Sequence, residues 1–61
     1  MTKTQILKAL RIEAPTKGEK VYFIAVGSGV TYRVFGAAVN EKAAKTLRAS
    51  IRRNPEYYGI N

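Results

Sequence analysis

Two runs of aromatic and β-branched residues, joined by three small residues, constrain the fold of this 61-residue chain most strongly. The first run spans 20–26, the second spans 30–35, and Gly27-Ser28-Gly29 lies between them. Residues of these types favour extended backbone, and a short glycine-containing connection lets one strand turn back on the other. The sequence therefore predicts an antiparallel β-hairpin over about 20–36.

Alternation along the two strands divides the hairpin into two faces. If the loop has two residues, one face is predicted to be the core, and it consists of Val21, Phe23, Ala25, Tyr32 and Val34. The opposite face then carries Tyr22, Ile24, Val26, Thr31, Arg33 and Phe35. With a loop of three residues, the two alternating sets of the second strand exchange faces relative to the first strand. The assignment of faces therefore depends on the loop.

A helix is predicted on each side of the hairpin. Thr2 and Gln5 have the spacing of a capping box, and apolar residues follow at helical intervals, which predicts a helix over about 3–12 that ends before Pro15. Asn40 is a favourable N-cap for a second helix over about 41–53, which Pro55 terminates. The apolar residues of the tail, 54–61, predict that it folds back on the core.

These elements predict a single α+β domain over 1–61, with the order α-β-β-α and both helices packed on the hairpin. A two-stranded sheet leaves both edges unpaired and is barely stable in water. A chain of this length also buries a modest core. We therefore expect homodimerisation through the hairpin to complete the fold.

The composition argues against catalysis and against bound metal. The chain has no His and no Cys, so the commonest catalytic bases, nucleophiles and zinc ligands are missing. Its four carboxylates, Glu13, Glu19, Glu41 and Glu56, are scattered along the chain. The sequence predicts no enzyme and no cofactor. It has neither an apolar stretch of about 20 residues nor a signal-peptide pattern, so we expect no membrane association and a cytoplasmic location.

Positive charge is the strongest functional signal, since 11 Lys and Arg face 4 acids and the formal net charge is +7. At 100° per residue, the cations of the second helix fall within an arc of roughly 140°, opposite an apolar arc of about 100°. This arc consists of Lys42, Lys45, Arg48, Arg52 and Arg53, and Arg33 and Lys20 add charge from the hairpin. The pattern predicts contact with the phosphates of DNA or RNA. Low sequence specificity follows, because no Asn or Gln is placed to read bases.

The segment 36–49 resembles the C-terminal part of a double-stranded RNA-binding domain, in which a glycine-containing strand end leads into a lysine-rich helix. The matching residues are Gly36, Asn40, Lys42, Ala44, Lys45 and Ala49, whereas Glu41 stands where that family has its first lysine. The resemblance implies that Lys42 and Lys45 contact phosphates across a major groove. It also implies an α-β-β-β-α order, one strand more than the sequence predicts.

A second interpretation stays open. A small basic chain without catalytic groups is also typical of regulators or inhibitors of the kind encoded by phages and mobile elements. Such a protein docks its positive face on an acidic surface of a host protein, or adds a strand to the edge of its sheet.

Overall fold

The computed structural model describes all 61 residues as one α+β unit with the order α-β-β-β-α. Helix α1 spans Lys3–Ala9, strand β1 Arg11–Glu13, strand β2 Tyr22–Val26, strand β3 Arg33–Ala38 and helix α2 Glu41–Arg53. Short 3₁₀ helices occupy Gly29–Thr31 and Pro55–Tyr58. The three strands form one antiparallel sheet in the order β1-β2-β3. The predicted fold class is therefore confirmed, with one strand more than the sequence predicted.

The additional strand, β1, lies where the sequence predicted the end of the first helix. The capping box is present, with Gln5 N donating to Thr2 Oγ1 at 3.2 Å and Thr2 N to Gln5 Oε1 at 2.8 Å. However, α1 ends at Ala9 rather than near 12, because Leu10 leaves the helical conformation, with φ −56° and ψ 124°. Ile12 then pairs with Ile24 on β2. Pairing with β2, rather than local preference, makes this three-residue segment a strand.

The hairpin connection is longer than the predicted two-residue or three-residue loop, since residues 27–32 separate β2 from β3. Gly27 begins it with a φ of 84°, and a Cβ there would clash with the carbonyl oxygen of Thr31. Only glycine adopts this positive φ without strain and also lacks the Cβ that would clash. The 3₁₀ turn at Gly29–Thr31 completes the reversal.

The predicted core face of the hairpin is wrong. Ile24 and Val26 of the opposite face belong to the core, whereas on the predicted core face only Ala25 is buried and Val34 is 47% exposed. Between Ile24 and Ala25 the register with β3 shifts, so that Ile24 pairs with Gly36 and Ala25 with Val34. This bulge leaves Phe35 as the extra residue, and its side chain packs against the core.

The core joins residues from both helices, the sheet and the tail. Its buried members are Ile6, Leu10, Ile24, Val26, Ala44, Ile51 and Ile60. Ile60 is 1% exposed, which confirms that the tail folds back. This core holds α2 against one side of the sheet and leaves the other side of the sheet, here called the open face, without a helix.

Candidate nucleic-acid interface

Helix α2 is fixed at its start by a side-chain cap and along its length by apolar packing. Asn40 Oδ1 accepts a hydrogen bond from Ala43 N at 2.8 Å, as predicted for an N-cap. Ala44 and Ile51 are fully buried. Leu47 packs over Gly36 so closely that a Cβ at Gly36 would lie 2.7 Å from Leu47 Cδ2. These contacts determine which side of α2 points away from the sheet.

The outward side of α2 carries the predicted cations, and we call this set the basic face. Its members are Lys42, Lys45, Arg48, Arg52 and Arg53, all exposed except Arg48, which is half-buried. Arg48 therefore lies at the margin of the face, closest to the packed side. The helix brings the five positive charges together on one surface.

Two of these cations have partners, one far away in the chain and one at the local i,i+4 spacing of a helix. Arg52 Nε donates to the carbonyl oxygen of Leu7 at 3.2 Å and so ties α2 to the end of α1. Lys45 Nζ lies 3.6 Å from Glu41 Oε1, one helical turn away, and both side chains are 65% exposed. Such an exposed pair contributes little stability. Lys42 and Arg53 have no ion-pair partner and are the most available members of the basic face.

The two cations predicted on the hairpin lie at opposite ends of the sheet. Lys20 is exposed just before β2, at the end where Tyr22 pairs with Ala38 and α2 begins. Arg33 pairs with Val26 at the other end, and its guanidinium lies 4.9 Å from the centre of the Phe35 ring. Lys20 and Arg33 therefore extend the positive surface in different directions and do not form one cluster.

The open face carries a polar network that sequence reasoning missed. Arg11 Nη2 donates to Glu13 Oε1 at 2.7 Å and to the Gly27 carbonyl oxygen at 2.6 Å, and Tyr32 Oη donates to Glu13 Oε2 at 2.6 Å. The hydrogen bonds from Tyr32 and Arg11 lower the pKa of Glu13, and the bond to Glu13 raises the pKa of Tyr32. Glu13 and Tyr32 are 19 positions apart, so no local pattern could have linked them.

No group of three or more His, Cys, Asp or Glu side chains is placed to hold a metal ion. Neither helix is long and apolar enough to cross a membrane. A shallow apolar cleft of about 220 Å³ lies beside Arg33, lined by Met1, Ile6, Val26, Val30 and Phe35 among others. This arrangement can bind charged or apolar groups.

No protein-family model matches the chain, and neither a curated protein nor a solved structure is detectably similar to it.

Proposed function

We propose that this chain is a small nucleic-acid-binding protein that contacts phosphates with low sequence specificity. The observation that carries the proposal is the basic face, where five cations share one side of α2 and Glu41 is the single acid. Neutralising phosphates releases condensed counterions, which gives favourable, salt-dependent binding without base recognition. Lys42, Lys45 and Arg53 make the principal contacts, and they are supported by Arg48 at the margin of the face and by Arg52, which also bonds to Leu7.

The α-β-β-β-α order supports the implied likeness to double-stranded RNA-binding domains at the level of architecture. The lysines that carry this likeness, Lys42 and Lys45, are both exposed in the first turns of α2. Fold order alone does not define a function. We therefore treat DNA and RNA as alternative ligands for the experiment to separate.

Gel-shift titration on single-stranded and double-stranded DNA and RNA tests the proposal. We expect Lys42→Gln/Arg53→Gln to weaken binding to every nucleic acid by a similar factor, since phosphate contacts carry no sequence information. Lys8→Gln/Lys17→Gln is the matched control, because it removes the same charge from exposed positions outside α2. Equal weakening by both variants would mean that net charge, rather than the basic face, drives binding.

The second candidate function, a regulator that binds an acidic host protein or its sheet edge, is favoured by strand β3. This strand is six residues long and lies at the edge of the sheet, and no backbone hydrogen bond outside the β2–β3 ladder involves it. An exposed edge is a template for another strand. Capture of a stoichiometric protein partner that survives nuclease treatment would favour this candidate over the first.

We also propose homodimerisation through the hairpin, which the free edge of β3 supports. Gly36, Ala37 and Ala38 give its second half little side-chain bulk, whereas Arg33 and the bulge at Phe35 guard its first half. Light scattering after size-exclusion chromatography measures the mass directly, and a mass of one chain at all concentrations would exclude the dimer.

A further inference from the structure

Tyr57 is an aromatic side chain that the core does not use. It is 84% exposed, whereas its neighbour Tyr58 packs against the core and shares a hydrogen bond of 3.2 Å with Ser50. The two rings meet edge to face, with centroids 5.1 Å apart and planes at 76°. The fixed ring of Tyr58 thereby orients that of Tyr57.

Hydrogen bonds hold the backbone around Tyr57. Tyr57 N donates to the carbonyl oxygen of Asn54, and Ile60 N donates to that of Pro55. Gly59 adopts the left-handed conformation that ends the 3₁₀ turn, and Ile60 is buried. An aromatic ring with two side-chain torsions on such a segment loses little further entropy when a ligand stacks on it.

One cation of the basic face, Arg53, and one of α1, Lys3, lie in the same recess as this ring. Tyr57 lines a shallow recess of about 390 Å³ together with Lys3, Arg53, Asn54, Pro55 and Glu56. Glu56 is the one anion there, and its Oε1 lies 3.7 Å from Lys3 Nζ. Two cations against one carboxylate leave the recess net positive. A ring with an adjacent cation is the combination with which proteins hold a base and its phosphate.

We propose that Tyr57 is a stacking site for an unpaired nucleotide, with Arg53 contacting the adjoining phosphate. This inference rests on the proposed function and extends it to a substrate class. Bases inside a duplex are stacked on each other and have no free face, so Tyr57 acts only on a single strand or on an overhang that continues from a duplex on α2. The chain then has a phosphate-binding face and, at the end of α2, a site that distinguishes single-stranded from fully paired ligands.

The test compares two probes by fluorescence anisotropy at one salt concentration. One probe is a single strand of about 12 thymidines, within the site sizes of single-strand binders, and the other is a blunt duplex of the same length. We expect Tyr57→Ala to weaken binding to the single strand by roughly 5-fold to 150-fold, the range for loss of one stacked base, and to leave duplex binding unchanged. Tyr57→Phe keeps the ring and retains the wild-type affinity for both.

The outcomes separate this inference from the proposed function. Tyr57→Ala with wild-type affinity for the single strand, or with the same loss on both probes, overturns the stacking site and leaves the phosphate-binding proposal standing. A wild-type protein that binds neither probe overturns both. Because Tyr57 is exposed, Tyr57→Ala should retain the wild-type circular dichroism spectrum, which checks that lost affinity is not lost folding.

Discussion

The two sides of helix α2 serve different purposes although they alternate within the same 13 residues. The inward side consists of alanine, leucine and isoleucine packed on the sheet, and it determines where the helix lies. The outward side consists mainly of cations that touch little of the rest of the chain. The difference predicts that substitutions on the inward side change stability and those on the outward side change affinity.

The inward side gives the largest expected effect. Ile51 is fully buried among residues of both helices, the sheet and the tail. Ile51→Ala should lower the free energy of unfolding by about 2–5 kcal/mol, through lost transfer energy and a residual cavity. For a domain this small that loss is comparable with the total stability. Urea denaturation measures it, and a loss below about 1 kcal/mol would contradict the packing described.

The outward side should respond in the opposite way. Lys42→Gln/Arg53→Gln removes two exposed charges that have no ion-pair partner, so the free energy of unfolding should change by less than about 0.5 kcal/mol per substitution. Urea denaturation of this variant next to Ile51→Ala therefore separates the two sides of α2. A large loss of stability in the charge variant would mean that the outward side also holds the fold.

The contacts of the open face are polar and exposed, so they should contribute least to the stability of the fold. The raised pKa of Tyr32 means that its bond to Glu13 contributes stability that is fully present below the ordinary tyrosine value near 10. That contribution is lost as the pH rises through the higher folded-state pKa. For Glu13, whose pKa is lowered, the contribution is present above the ordinary value of 4.5 and disappears as the pH falls through the folded-state pKa.

Tyr32→Phe tests this network by removing the hydroxyl and keeping the ring. We expect Tyr32→Phe to be slightly less stable than wild type at neutral pH. Raising the pH above 10 should then lower the stability of the variant by less than that of wild type, since the variant has no tyrosine proton to lose at this position. Denaturation curves of both proteins at neutral and alkaline pH measure the difference in unfolding free energy between them. The titration of lysines cancels in this difference, because both proteins carry the same lysines. Parallel stability profiles would show that the Tyr32–Glu13 bond is absent in solution.

The sequence predicted those features that depend on neighbouring residues. The capping box of Thr2 and Gln5, the N-cap at Asn40 and the apolar and basic arcs of α2 are all set within a few positions, and all are present. The cationic surface of α2 follows from the same local periodicity.

The features that the sequence did not predict depend on residues far apart in the chain. Segment Arg11–Glu13 is a strand because β2 lies beside it, and the bulge at Phe35 shows only once β3 is aligned with β2. The core face of the hairpin also depends on distant residues, because Ile24 and Val26 are buried by residues of both helices and the tail. In the basic face, the hydrogen bond from Arg52 to Leu7 could not be predicted either, because the two residues are 45 positions apart.

The salt dependence of binding measures how many phosphates the basic face neutralises. If about five phosphates are neutralised, a plot of log K against log salt should have a slope of about −3.5 for a single strand and −4.5 for duplex DNA. Lys42→Gln/Arg53→Gln should make the slope shallower by about 1.4–1.8, whereas Tyr57→Phe should leave it unchanged. A wild-type affinity that stays flat between low and moderate salt would contradict the account.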